Sequence, residues 1–110
     1  MKVTDTQLFE SLEYLRDEKR LISNARALRL TIEEGRKHLK AKLIGLSQAS
    51  SFAAKEQDAY SNTEYKDLLK ALRIAIEQDE HYRLQVDYHK ARIEVWRSMG
   101  ANQRAIDRSL

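Results

Sequence analysis

Apolar side chains recur at alternating steps of four and three residues along two stretches of the chain. The first row, named here the first seam, runs through Leu21, Ala25, Leu28, Ile32, Gly35, Leu39, Lys42, Leu46, Ala49 and Ala53. The second seam runs through Leu68, Leu72, Ala75, Asp79, Tyr82, Val86, His89, Ile93 and Trp96. An average spacing of 3.5 residues keeps one helix face against one partner helix over its whole length. The two seams therefore predict two long helices that pack on each other.

The first helix is expected to span about residues 5–59. Thr4 and Gln7 match a capping box, in which each residue bonds the backbone N–H of the other. A stretch of small and polar residues at 45–51 contains poor helix formers, so it can be a break or part of a continuous helix, and we favour the continuous helix. The hairpin turn is expected at residues 60–63.

The second helix is expected to span about residues 62–98. Ser61 and Glu64 match a further capping box at its start. Gly100 follows the last seam residues, as expected of the residue just past a helix end. A short C-terminal tail, residues 99–110, completes the chain.

These features predict an all-α fold, a long antiparallel helical hairpin that is coiled-coil-like, in a single domain over residues 1–110. Two helices bury only a narrow strip of apolar surface, so we expect the chain to self-associate. Gly35 lies on the first seam, where a missing side chain permits close helix approach. The residues expected to form the packing or oligomer seam are Leu28, Ile32, Leu39, Leu46, Leu68, Leu72, Tyr82, Val86, Ile93 and Trp96.

Composition excludes several classes of protein. Charged residues make up 34 % of the chain and apolar residues 42 %, and cysteine and proline are absent. The chain therefore has no disulfide or thiol chemistry. The first ten residues lack the apolar core of a signal peptide, and no run approaches the roughly 20 apolar residues of a membrane span. We expect a soluble, cytoplasmic protein.

The three histidines do not predict a catalytic or metal site. None of them has a Glu three residues before it, as helical di-metal sites require. His81, Gln85 and His89 share one helix face and could hold a metal weakly, but ordinary surface or seam histidines are the favoured interpretation. Neither a glycine-rich phosphate loop nor a nucleophile elbow is present. We expect no enzyme activity, no metal and no cofactor.

Basic residues are concentrated in one part of the chain. The formal net charge is +3, and residues 25–59 hold seven Lys and Arg against four acids. Six of them, named here the basic strip, recur at helical spacing: Arg26, Arg29, Arg36, Lys37, Lys40 and Lys42. Such a strip can follow a phosphate backbone through contacts that do not depend on sequence. The alternative is a solvated helix face, which Glu33 and Glu34 favour because they dilute the positive charge of the strip.

Three segments resemble small helical proteins encoded by bacteriophages: KAKL at Lys40–Leu43, EYKDLLKAL at Glu64–Leu72 and ARIEVWRSMGANQRAIDR at Ala91–Arg108. A basic helical segment, a polar turn, a long helix and a short tail are together most similar to phage recombination mediators of the UvsY type. This resemblance covers roughly Ala25–Arg108. It implies a homo-oligomer that binds single-stranded DNA through the basic strip. It also implies a role in loading a recombinase onto strands covered by single-strand-binding protein, in the bacterial host cytoplasm.

The expected function is therefore that of a non-enzymatic phage accessory protein that binds single-stranded nucleic acid. The alternative is a protein-interaction module whose exposed apolar seam captures a helix of a host defence factor or a replication component. A purely structural coiled-coil scaffold is the third possibility. Binding to nucleic acid should depend steeply on salt, whereas binding through an apolar seam should not.

Overall fold

The chain is all-α in the computed structural model, which describes residues 2–110. Four helices and no strand occur in this part of the chain: α1 (Asp5–Asp17), α2 (Lys19–Leu46), α3 (Phe52–Ser61) and α4 (Thr63–Ser109). The prediction of an all-α helical hairpin is confirmed. The structure divides into two compact units, the first formed by Met1–Ile22 with His81–Leu110 and the second by Ser23–Glu80. The single domain stays a prediction.

In the first unit, α1 packs antiparallel to the C-terminal part of α4. The indole Nε1–H of Trp96 donates to Asp5 Oδ1 over 2.9 Å, and Ser11 Oγ lies 2.9 Å from His89 Nδ1. Residue numbers thus rise along α1 while they fall along α4. Leu8 and Ser11 are the buried side chains of α1.

The predicted start of the first helix is confirmed. The Gln7 N–H donates to Thr4 Oγ1 over 3.1 Å, and the Thr4 N–H donates to Gln7 Oε1 over 3.0 Å. This capping box satisfies two N–H groups that have no partner within a helix, so the sequence fixes the start of α1 locally.

A single residue, Glu18, separates α1 from α2, an interruption that the seam pattern did not predict. Its backbone has φ −94° and ψ 2°. Its N–H still donates to the Tyr14 carbonyl over 3.0 Å, and its carbonyl accepts from the Ile22 N–H over 3.0 Å. The helical hydrogen bonding is therefore kept on both sides of the change in backbone conformation.

The second unit contains a real break, so the favoured expectation of a helix continuous to residue 59 is wrong. The helix α2 ends at Leu46, and α3 begins only at Phe52. Ser51 caps the new helix by accepting from the Ala54 N–H over 3.2 Å. Small and polar residues gain little from a helical conformation here and offer side-chain oxygens to the backbone, which favours the break.

The turn between α3 and α4 is shorter than expected, because Asn62 is its one non-helical residue. Asn62 Oδ1 accepts from the Glu64 N–H over 2.8 Å. Ser61 is the last residue of α3, so the predicted capping box of Ser61 and Glu64 is wrong. An Asn one residue later supplies the same kind of acceptor.

The helices of the second unit meet around a small buried core. Leu43 of α2, Ala59 of α3 and Tyr65 of α4 form this cluster, and Leu39 and Ile44 pack against it. Leu43 meets Tyr65 near the start of α4, whereas the earlier Arg29 meets Asp79 further along α4. The helices α2 and α4 are therefore antiparallel in this unit also.

The last helix continues through the predicted tail. The helix α4 ends at Ser109, and Gly100 lies inside it with a negative φ. The expected helix end near residue 98 is therefore wrong. The residues after Gly100 contain no proline, and Gln103 donates to Asp107 over 3.0 Å one turn further on, so one glycine does not end the helix.

Candidate nucleic-acid interface

The basic strip lies along α2, which presents its members with different exposure. Arg26, Lys37 and Lys42 are exposed, whereas Arg29, Arg36 and Lys40 are half-buried. All six belong to the second unit. The neighbours of each basic side chain decide whether acids already engage its charge or whether it can bind a phosphate.

Arg29 is held by three carboxylates. Its Nε lies 3.1 Å from Glu33 Oε1, and its guanidinium lies 3.1 Å both from Asp79 Oδ2 and from Glu80 Oε1. Hydrogen bonds to Glu33, then to Glu80 and Asp79, raise the pKa of Arg29. Arg29 therefore links α2 to α4 within the second unit, and acids already engage its charge. Its contact with a phosphate stays a prediction.

Lys37 and Lys40 interact with neighbouring side chains more weakly than Arg29 does with its three carboxylates. Lys37 Nζ lies 3.6 Å from Glu34 Oε1, and both side chains are about two-thirds exposed, 66 % and 65 %. Such exposed pairs contribute at most about 1 kcal/mol, so a phosphate can replace Glu34. Lys40 Nζ lies 4.9 Å from the centre of the Tyr60 ring, and a hydrogen bond to Tyr60 is the main cause that raises the pKa of Lys40.

These cations line a surface cavity, named here the basic hollow. It has a volume of about 230 Å³, and its walls are Arg36, Lys37 and Lys40 of α2, Tyr60 of α3 and Tyr65 of α4. Arg36 makes no ion pair within residues 2–110. Three cations around one cavity are groups that bind a phosphate. Tyr60 is 42 % exposed and can stack a base, whereas Tyr65 is buried and supports the Tyr60 ring.

Arg26 and Lys42 lie outside the basic hollow. Arg26 lines a separate cavity together with Arg29, Leu30, Glu33 and Asp79. That cavity contains two carboxylates, so it does not favour an anion. Lys42 is exposed on α2 two residues beyond Lys40. Of the six predicted residues, the structure thus brings Arg36, Lys37 and Lys40 together, and leaves Arg26 and Lys42 at the flanks.

The predicted seam residues are buried to different degrees. Leu72 is buried at 7 % exposure, whereas Leu28 and Leu46 are exposed at 49 % and 64 %. The half-buried members are Ile32, Leu39, Leu68, Tyr82, Val86 and Ile93. Trp96 is 37 % exposed and donates to Asp5. Part of the seam therefore packs within the chain, and part faces solvent.

Both polar positions of the second seam make contacts within the chain. Asp79 binds Arg29 in the second unit. His89 is buried in the first unit, where its ring stacks on Tyr14 with centroids 4.2 Å apart and its Nδ1 meets the fully buried Ser11. Burial and the nearby Arg92 lower the pKa of His89. These two residues thus fix how α4 pairs with the helices beside it.

Sequence analysis missed Ser11 as a partner of His89. Leu8, Ser11 and Leu15 follow steps of three and four, so Ser11 belongs to the buried side of α1, whereas Leu12 is 44 % exposed. This spacing is the signal in the sequence that indicates burial of Ser11. No substrate can reach Ser11 Oγ at 0 % exposure, so this serine–histidine pair is not a catalytic site.

A buried charge, that of Arg92, lies in the same unit as this pair. Arg92 is 7 % exposed, and its guanidinium lies 3.3 Å from Glu10 Oε2 and 5.4 Å from the centre of the Tyr88 ring.

No group of three or more His, Cys, Asp or Glu side chains within residues 2–110 could hold a metal ion. None of the helices in that range is long and apolar enough to cross a membrane.

Comparison of the chain with protein-family models, with curated proteins and with solved structures finds no match. The resemblance to UvsY-type mediators therefore stays a prediction. What the fold contributes is the basic hollow itself. The sequence does not predict its two tyrosines as site residues. It places Tyr60 in the hairpin turn, outside the basic strip.

Proposed function

We propose that the chain binds single-stranded nucleic acid, without sequence preference, at the basic hollow. The observation that carries this proposal is the arrangement of Arg36, Lys37 and Lys40 around one cavity beside Tyr60 and Tyr65. Cations along a groove provide affinity for phosphates, and aromatic rings provide a surface for bases. We place the chain in the cytoplasm as part of this proposal, on the sequence prediction alone.

The ion pairs of α2 determine which of its basic side chains can contribute to phosphate binding. Arg29 is engaged by three carboxylates, so moving it to a phosphate would leave Asp79 half-buried without its partner. Lys37 can exchange Glu34 for a phosphate at little cost, because that pair is exposed. Arg36 and Lys40 complete the set, and Arg26 and Lys42 can extend it along a longer strand.

Replacing Arg36, Lys37 and Lys40 by Ala tests this assignment. The matched control replaces Arg97, Arg104 and Arg108 of α4 by Ala, and each triple variant lowers the formal net charge from +3 to 0. We expect the first variant to bind a labelled oligothymidine at least tenfold more weakly than the control variant at 50 mM salt, because it loses about three phosphate contacts. Fluorescence anisotropy measures both affinities.

Equal weakening of the two triple variants would contradict the proposal, because binding would then follow net charge alone. Equal unfolding curves of the wild type and the first variant would show that the change acts on binding rather than on folding. The three side chains are exposed or half-buried on the surface of α2, so the variant should fold.

We propose further that the chain self-associates. Its accessible surface is 8337 Å², whereas a folded monomer of 12.9 kDa exposes about 6,300 Å². The difference exceeds the roughly 800 Å² that each partner buries in an interface of standard size. Exposed leucines, phenylalanines and isoleucines occur on all four helices. Several linked copies would hold one strand by avidity, even if each site binds weakly.

The second copy is expected at an apolar groove of the second unit, about 570 Å³ in volume. Its apolar walls are Leu30, Leu72 and Ile76, and its charged rim is Glu33, Glu34, Arg36 and Lys37. Around a two-fold axis, the apolar walls of the two copies would cover each other, with Arg36 and Lys37 at the rim rather than inside the interface. If the chain stayed monomeric at all concentrations, a helix of another protein would be the better candidate for this groove.

The role as a recombination mediator rests on the resemblance alone. Strand binding and self-association are its necessary conditions, and both have support from the contacts described above. Contacts with a recombinase or with single-strand-binding protein become worth testing once strand binding is measured.

A further inference from the structure

Tyr60 lines two cavities of the second unit. The first is the basic hollow, with Arg36, Lys37 and Lys40. The second is a cavity of about 310 Å³, named here the aromatic hollow, whose walls are Phe52, Ala53, Glu56, Gln57 and Tyr60 of α3. Tyr60 is the residue that these two cavities share.

The contacts of Tyr60 hold its ring in place while part of it stays exposed. The ring meets Tyr65 edge to face, with centroids 5.6 Å apart, and Lys40 Nζ lies over it at 4.9 Å from its centre. Tyr60 is nevertheless 42 % exposed. A fixed and partly exposed ring loses little conformational entropy when another flat group stacks on it.

Phe52 adds a second ring to the aromatic hollow. It is the first residue of α3 and is 65 % exposed, although an aromatic side chain of this size gains by burial. Ser51 caps the helix immediately before it, so the backbone of Phe52 is fixed. Gln57, in the same cavity, offers both a hydrogen-bond donor and an acceptor to the edge of a base.

We propose that the aromatic hollow stacks a nucleobase on Tyr60 and Phe52, while Arg36, Lys37 and Lys40 hold an adjoining phosphate in the basic hollow. This inference rests on the proposed function and deepens it, because it states how the site recognises a single strand. In a duplex, the bases are stacked on each other and are not presented to a protein ring. Base stacking on aromatic side chains is accordingly typical of single-strand recognition.

The test compares two oligonucleotides of equal length and equal phosphate charge, one of thymidines and one of abasic residues. Wild-type protein should bind the thymidine strand at least tenfold more tightly, because stacking on an aromatic ring contributes about that factor per base. Tyr60→Leu should remove most of this preference, because it should weaken binding of the thymidine strand much more than binding of the abasic strand. Tyr60→Trp should keep the preference, because an indole stacks at least as well.

Tyr88→Leu is the matched control. Tyr88 is 51 % exposed and lies near a cation, as Tyr60 does, but its Arg92 is paired with Glu10. This variant should keep the wild-type preference for thymidines. Circular dichroism should show the same helix content in all variants, since Leu at position 60 keeps an apolar contact with Tyr65.

Three results would overturn the inference, and they differ in what they mean. If the wild type binds neither strand, the proposed function fails as well. If it binds both strands equally and salt weakens the binding, the phosphate site stands and the stacking site is wrong. If it prefers thymidines but Tyr60→Leu and Phe52→Leu keep that preference, the base is bound elsewhere on the chain.

Discussion

His89 shows how one residue can couple the charge state of the protein to its stability. Ser11 and Tyr14 of α1 cover its ring, and Tyr88 meets it edge to face. Burial and then Arg92 lower the pKa of His89, and Glu10 opposes them. Its protonation would place a charge at a buried contact between α1 and α4, so we expect a dependence on pH.

The sign of that dependence follows from proton binding. Because folding lowers the pKa of His89, the unfolded chain binds the proton more readily than the folded one. The stability contributed by neutral His89 is full above about pH 6.5, and it is lost as the pH falls from there towards the lower pKa of the folded state. Urea unfolding at pH 7.5 and pH 5.5 should therefore show a loss of stability at the lower pH.

Two variants separate the contribution of His89 to this loss of stability from the contribution of the carboxylates, which is common to all variants. His89→Gln should lose less stability between the two pH values than the wild type does. His81→Gln, which replaces an exposed histidine, should behave as the wild type. An identical pH dependence in the wild type and His89→Gln would contradict the assignment.

At the site, residue type and spacing indicated the cations but not their surroundings. Arg36, Lys37 and Lys40 could be found from the sequence because charge and helical spacing are visible there. The pairing of Arg29 with Asp79 and Glu80 could not, since these residues are some fifty positions apart and meet only when α2 and α4 pack. The role of Tyr60 could not be predicted either. It depends on the end of α3 at Ser61 and on contacts with Lys40 and Tyr65 of other helices.

At the scale of the helices, local signals predicted some ends and not others. The start of α1 was predictable because Thr4 and Gln7 bond each other. The break before α3 remained open, because small polar residues only weaken a helix and packing decides the outcome. The interruption at Glu18 has neither glycine nor proline nearby; a small shift in the phase of the apolar row near Leu21 was its one signal.

Gly35 offers a test of how α2 packs. It lies inside α2, and a Cβ built on it would meet no atom within 4 Å other than its chain neighbours and the backbone of its own helix. No other helix within residues 2–110 therefore packs closely against Gly35. Gly35→Ala should raise the free energy of unfolding by about 0.5–1 kcal/mol in urea titrations, because alanine favours the helix.

Gly45→Ala serves as the control for Gly35→Ala. It also has open space around the new Cβ, but it lies one residue before the end of α2, where helix propensity matters less. We expect a smaller gain there. A loss of stability in Gly35→Ala would contradict the prediction and would indicate that another copy packs against this position.

At the scale of the whole molecule, exposed apolar surface leads to the expectation of self-association. Light scattering should give the wild type a mass that is a multiple of 12.9 kDa. Leu30→Glu should shift that mass towards one chain, because it places a charge in the apolar groove, where Leu30 is 49 % exposed.

Leu84→Glu is the matched control for Leu30→Glu. Leu84 is 58 % exposed and belongs to the first unit, outside the groove. This variant should keep the wild-type mass. Dissociation by Leu84→Glu but not by Leu30→Glu would place the interface on the first unit instead.

Strand binding by the basic hollow is the central claim, and the salt dependence of wild-type affinity tests it most directly. A labelled oligothymidine would be titrated by fluorescence anisotropy between 50 and 200 mM salt. Single strands lose affinity with a slope of about 0.7 per phosphate contact, so three contacts predict a weakening of about twentyfold over this range. Absence of binding at 50 mM salt, or affinity that salt does not change, would contradict the claim.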